Sequence, residues 1–171
     1  ISVRMPDVAA FAKDDEARRV SVEVQAPHAA PRYAGLTLTN VKVGPSPEWL
    51  RERLNSIGLK PINNVVDVTN FVQHELGQPL HACDADRLAE GKVMVRYMPA
   101  GTAFVSLDGK ERKLDAEDLM ITDPNGPLCI AGVFGGLESG VTDATTSVFL
   151  ESACFDPISV RRTARRHALN T

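Results

Sequence analysis

The hydrophobic period changes along this chain, and that change limits the folds open to it. Between Ser46 and Gly77 apolar residues recur at helical spacing, and from Lys92 onward they recur at every second position. VMVRYM, FVSLDGKERKL, LMITD, LCIAGV and SVFLESA therefore read as strands. Asp108-Gly109 is a hairpin turn signal, and Asp123 to Pro127 a second turn. Two earlier segments alternate as well. RVSVEVQ places Val20, Val22 and Val24 on one face, and YAGLTLTNVKV contributes Leu36, Leu38 and Val41. Two helices, a run of strands and a final helix predict an α+β domain. Its sheets are expected to be antiparallel or mixed.

The helix ends are marked. Ser46 is read as a cap with Pro47 at the first helical position, followed by a stripe of Leu50, Leu54 and Ile57 and a stop at Gly58. A second helix is expected from Asn63 or Asn64 to Gly77. Its Val65, Val68, Val72 and Leu76 form a buried stripe. Asp156-Pro157 opens the last helix, which carries Arg161, Arg162, Arg165, Arg166 and His167. Residues 1–18 are weakly patterned. They read as an arm or linker from an upstream module, with residues 19–171 as one domain, and the absence of an initial Met reads as a segment of a longer chain.

A net charge of −3 argues against general attraction to nucleic acid or anionic membranes, and no apolar run is long enough to span a bilayer. Three widely spaced cysteines, Cys83, Cys129 and Cys154, read as reduced thiols of a cytoplasmic protein.

Three segments carry candidate chemistry. VVDVTNFVQHELGQPLHACD, Val65 to Asp84, gathers Thr69, Asn70, Gln73 and His81 in a helix-loop segment. IAGVFGG, Ile130 to Gly136, offers bare backbone around Ala131 and Gly132. VFLESACFDP sets Glu151 inside an apolar strand. His81 reads either as a structural hydrogen-bonder or as an acid–base group. Glu151 is costly to bury unless paired, so it is either half of a salt bridge to an arginine or a ligand-binding carboxylate. His81 and Cys83 lack a zinc spacing, and the glycines of AGVFGG follow no βαβ pattern. Neither a metal nor a dinucleotide site is expected. The last helix's arginines read as a solvated face in preference to a phosphate patch. The sum is a pocket with few polar groups that recognises a small molecule.

RYAGLTLTNVKV, PINNVVDVTNFVQHELGQPLHACD, IAGVFGG, LESACFDP and RRTARRHALNT, in that order, resemble the editing region of bacterial phenylalanyl-tRNA synthetase beta subunits, in register from about Val20 to Thr171. The resemblance implies an α+β fold, a compact mixed domain with a β-sandwich-like core of mostly antiparallel strands flanked by helices, and hydrolysis of tyrosine mischarged on tRNA(Phe). A pocket that selects phenylalanine rejects an added hydroxyl only about 10²-fold, so a second site must bind that hydroxyl. The resemblance gives Glu151 the tyrosyl hydroxyl. His81, Thr69 and Asn70 position the aminoacyl group, the terminal adenosine and the attacking water, and Ala131 and Gly132 line the pocket. His81 or the ribose hydroxyl activates the water. The implied partners are the tRNA(Phe) acceptor end, an alpha subunit and the remaining beta-subunit domains in a heterotetramer, with no membrane. No cofactor is implied here, since ATP and Mg²⁺ serve the parent enzyme. The alternative is a non-catalytic structural and tRNA-docking module. The family usually has Phe at Cys83, often Tyr at Phe71 and usually Gly at Ala168. It also continues beyond Thr171 with a further pocket-wall residue, so weak activity of the isolated segment is expected.

Overall fold

A computed structural model describes residues 5–14 and 16–169. The first four residues of the expected arm and the last two of RRTARRHALNT lie outside them. Among the described residues the order is β1 (Ser21–Val24), β2 (Arg32–Leu38), α1 (Glu48–Ser56), α2 (Asn64–Leu76), β3 (Leu80–Asp84), β4 (Lys92–Tyr97), β5 (Ala103–Val105), β6 (Glu111–Lys113), β7 (Leu119–Asp123), β8 (Gly126–Ile130), β9 (Phe134–Gly135), β10 (Val148–Cys154) and α3 (Pro157–Arg166). The α+β expectation holds.

Two sheets make the sandwich. One runs β1-β4-β7-β8-β9, parallel only between β1 and β4; the other runs β2-β10-β3 and is antiparallel throughout. Alternation explains how the larger sheet packs on both faces. Val93, Val95, Leu119, Ile121, Cys129 and Ala131 point toward the small sheet and meet Phe149 there. Met120 and Ile130 point the other way, onto Phe104, Leu114 and Leu169. Burying a large aliphatic side chain stabilises by about 1.5–3 kcal/mol, so this double-sided sheet is the main source of cohesion.

The marked helix ends behave as chemistry requires. The Asn63 side chain accepts from Val66 N–H at 3.0 Å, and Gly77 closes α2 at φ 73°. Asp156 accepts from Ser159 N–H at 2.7 Å, with Pro157 in the first turn of α3. The Asp108-Gly109 hairpin joins β5 to β6. At the Asp123 turn the carboxylate accepts from Asn125 and Gly126 N–H groups at 2.8 and 3.0 Å.

Several expectations need correction. Ser46 does not cap α1; Pro47 holds the cap position, and the Ser46 hydroxyl donates to Asp67 at 2.5 Å. The valine stripe of α2 is not buried, since Val68 and Leu76 are exposed, whereas Asp67 and Thr69 are buried. Asp67 tolerates burial because Ser46 and the Ile62 N–H satisfy it, which ties α2 to the loop before it. Ile57 and Val22 are exposed too, and Val22 looks into a groove between the edge strands β1 and β2. Leu36 and Leu38 face outward; the inward side of β2 carries Tyr33, Gly35 and Thr37. His81 stands on a strand, β3, and not in a loop.

The last helix is anchored by a buried carboxylate. Asp118 accepts from Asp115 N–H at 2.8 Å, Thr163 at 3.0 Å, His167 at 2.6 Å and Arg166. Burial pushes its carboxyl up, but these donors prevail and hold it below the ordinary range. Arg161, Arg162 and Arg165 are exposed, as a solvated face requires; Arg166 instead joins an acidic cluster with Asp115, Glu117 and Asp118.

Beyond α3, Ala168 adopts φ 52°, where a Cβ is strained and where glycine is the usual residue of the resembled family. Ala168→Gly is therefore expected to stabilise the fold by up to about 1 kcal/mol, after the glycine's greater unfolded-state entropy is subtracted. A thermal melt checks this; a lower midpoint would show that the left-handed position carries no strain worth relieving.

Candidate functional site

Strand β10 is the centre of the site because it is paired along both edges. Glu151 stands opposite Gly35 of β2 and opposite His81 of β3. Directly opposed residues share a face, so Glu151, His81 and Gly35 point to the same side. That side is the inner one, since Phe149 on the same face of β10 belongs to the core between the sheets. Gly35 is there for close approach. A Cβ at this position would lie 2.3 Å from the ring of Phe149. Any side chain would push that ring into the space beside Glu151.

Glu151 is buried, with 6% of its surface exposed. No arginine or lysine among the described residues pairs with it. Its hydrogen bond comes from the hydroxyl of Tyr33, which donates to Oε2 at 2.6 Å. Of the two readings left open by the sequence, the salt bridge to an arginine is not found among the described residues, and a neutral donor stands in its place. Burial pushes the Glu151 carboxyl up to about 7, and the Tyr33 bond pulls in the opposite direction. Burial and the neighbouring carboxylate also push the Tyr33 phenol far above its ordinary value, so it remains a donor.

His81 adds a second polar group. Its Nε2 is buried with no hydrogen-bond partner among the described residues. Burial pulls its pKa below the ordinary value, which keeps the imidazole neutral near pH 7. The β9 backbone stands close by: a Cβ on Gly135 would lie 3.1 Å from His81 Cε1. Cys83 and Cys129 are buried free thiols. Burial pushes Cys83 up to about 12 and Cys129 well above its usual value, so neither supplies a thiolate nucleophile.

The other candidate residues surround this pair at different removes. Ala131 is buried in the same core cluster as Phe149. Gly132 forms the β8–β9 turn at φ 67°, with Phe155 and Val160 both 3.0 Å from where its Cβ would be. Only glycine fits both the conformation and the packing. Thr69 and Asn70 lie on α2, which packs against β3. The Thr69 hydroxyl donates to the Val66 carbonyl at 2.7 Å, and the backbone carbonyl of Asn70 is bonded to His74 Nδ1 at 2.9 Å. The fold thus brings Glu151 and His81 into register, while the Thr69 hydroxyl bonds within its own helix.

Sequence reasoning missed Tyr33. The sequence offers only the general rule that a buried carboxylate without a cation needs a neutral donor, and that rule names no residue. Among the described residues no group of three or more His, Cys, Asp or Glu is placed to hold a metal, and no helix is long and apolar enough to cross a membrane.

Residues 29–171 match the B3/4 domain family. A phenylalanine–tRNA ligase beta subunit of Bacteroides fragilis is 57% identical over 166 residues, covering 97% of this chain and 20% of that protein. One from Porphyromonas gingivalis is 61% identical over 154 residues, covering 90% of this chain and 19% of that protein. The chain spans about a fifth of the length of the curated relatives it matches. An N-terminal fragment of the phenylalanyl-tRNA synthetase beta-subunit from Pyrococcus horikoshii superposes with a TM-score of 0.58 at 13% identity, over 86% of this chain and 47% of that one, a likeness of fold.

A carboxyl raised to about 7 takes up protons on folding, so its contribution is fully present near its ordinary 4.5 and is lost as pH rises through about 7. Glu151→Gln removes the charged form and keeps the shape. The variant is expected to gain on the order of 1–3 kcal/mol over the parent near pH 8, and little near pH 4. Denaturant melts across that range decide the matter; a difference independent of pH would mean that Glu151 does not titrate in this window.

Proposed function

Because the chain belongs to the B3/4 domain family, and the relatives described above are phenylalanine–tRNA ligase beta subunits, we propose that it is the editing segment of such a subunit and hydrolyses tyrosine mischarged on tRNA(Phe). The observation that carries the reading is the juxtaposition of Glu151 and His81 on paired strands, each buried and each with acceptor or donor capacity to spare.

The two residues have different tasks. Glu151 keeps Oε1 for a tyrosyl hydroxyl, since Tyr33 occupies Oε2. A phenylalanyl group would bury that oxygen without a donor, and such a loss discriminates by up to about 10⁴–10⁵. His81 is neutral, so it can take a proton from the attacking water directly or through the ribose hydroxyl. Water then adds to the ester carbonyl, the bond to the ribose oxygen breaks, and the proton returns to that oxygen. Tyrosine and uncharged tRNA are the products. No covalent enzyme intermediate is required. Thr69 and Asn70 position the terminal adenosine and the aminoacyl group, and the backbone of Ala131 and Gly132 borders the pocket.

The partners of this reading are the acceptor end of tRNA(Phe), an alpha subunit and the remaining beta-subunit domains in a cytoplasmic heterotetramer. Amino-acid activation with ATP and Mg²⁺ is assigned to the rest of that assembly.

The test compares hydrolysis of Tyr-tRNA(Phe) and Phe-tRNA(Phe) by this chain and by the complete synthetase. Glu151→Ala is expected to abolish the preference for the tyrosyl ester. His81→Ala is expected to lower the rate by about 10²–10⁴ while leaving the preference. Unchanged tyrosine selectivity in Glu151→Ala removes that residue from its role. No selective hydrolysis by either protein leaves a structural and docking module.

A further inference from the structure

We infer that Tyr33 is a positioning residue of this site: its hydroxyl holds Oε2 of Glu151, fixes the carboxyl as a hydrogen-bond acceptor, and leaves Oε1 for the hydroxyl of a phenolic ligand. The inference rests on the editing reading for its ligand class, but its structural half stands on geometry alone.

The Tyr33–Glu151 bond spans 118 positions of sequence and 2.6 Å of space. It is the side-chain hydrogen bond that the carboxyl makes among the described residues, so it orients that group within its packed surroundings. Register explains why Tyr33 can reach it. Tyr33 stands opposite Ala153, one inward position along from the Gly35–Glu151 pair. Diagonal neighbours on one sheet face lie within reach of an aromatic side chain. The small residues at both corners, Gly35 and Ala153, leave the ring room to lean across.

A neutral donor suits the task better than a cation. An arginine would neutralise Glu151 and would offer a fork to both oxygens. A single phenol engages one oxygen and leaves the second. The ligand hydroxyl then meets a carboxylate already turned and already half solvated by protein. Tyr33 also lines a groove of about 460 Å³ beside β1 and β2, with Val22 and Phe149.

The titratable groups that face the carboxyl are Tyr33 from β2, His81 and Cys83 from β3, and Cys129 from β8. Burial keeps both thiols protonated and the imidazole neutral near pH 7. Tyr33 is thus the group whose hydrogen bond opposes the burial of Glu151. Without it the carboxyl gains a proton at higher pH. A protonated carboxyl is a donor as well as an acceptor and discriminates a phenol poorly.

The experiment titrates the Glu151 carboxyl carbon by NMR in the full chain labelled at glutamate Cδ, with Glu151→Gln to assign the signal. Tyr33→Phe removes only the hydroxyl. It is expected to raise the midpoint by about one pH unit or more. A ring-fluorinated tyrosine at position 33, a stronger donor of nearly unchanged shape, is expected to lower it. Opposite shifts cannot come from general loosening of the fold. In the complete synthetase, Tyr33→Phe is expected to lose about tenfold of its tyrosyl-over-phenylalanyl preference near pH 7 and to recover it about one unit higher. Midpoints unmoved in both variants overturn the inference whatever the activity. Midpoints that move as expected, with hydrolysis specificity unaffected, uphold Tyr33's control of Glu151 and overturn the editing role of that carboxyl instead.

Discussion

Strand β10 holds the rest of the domain in place because both its edges are occupied. Its seven residues pair with β2 on one side, and its first five pair with β3 on the other. An inner strand has no spare backbone donors or acceptors, so its register is set twice over. Every side chain on its inner face then has a defined neighbour. Phe149 fills the space above Gly35, and Glu151 is set between Gly35 and His81. The opposing sheet supplies Cys129 and Ala131, small enough to let the carboxyl in. The core and the candidate site are thus two parts of one layer.

That layer includes a group no core would keep for stability alone. A buried carboxyl costs several kcal/mol unless it is neutral or well bonded. Here it is a compromise between the two, with one neutral donor and a pKa near 7. Asp118 provides the contrast within the same chain. It too is buried, but four groups donate to it, and it stays charged while it pins α3. Asp118 is saturated and structural. Glu151 accepts from a single side-chain donor, and across the strand pair Nε2 of His81 has no hydrogen-bond partner among the described residues. A sparsely bonded carboxyl facing an unsatisfied imidazole nitrogen is what distinguishes a site from a scaffold.

Local chemistry was legible in the sequence, and long-range pairing was not. The caps of α2 and α3, both hairpin turns and most strands after Lys92 follow from residues close to one another. So does the suspicion that falls on Glu151, a charge in an apolar strand. What failed depended on distant partners. Leu36 and Leu38 mark β2 as a strand, yet they face outward, and only the pairing with β10 shows that Tyr33 and Gly35 take the inner side. The α2 stripe looked buried because Val68 and Leu76 are apolar, yet the helix turns inward the side that carries Asp67 and Thr69. His81 reads as part of a helix-loop segment because it follows the end of a helix, and its strand is made by pairing with β10. The donor to Glu151 lies more than a hundred residues upstream. No local pattern could have named it.

Mounting both polar groups on paired strands has a consequence for how such a domain tolerates change over generations. Side chains on a strand alternate, so the layout counts in twos. Losing or gaining a single codon within β3 or β10 would turn His81 or Glu151 from the inside to the outside at a stroke, whereas two codons would only slide it along. Length variation among related genes should therefore collect in the connections, such as the stretch between β9 and β10, and be purged from these two strands. The site is protected less by the identity of its neighbours than by arithmetic.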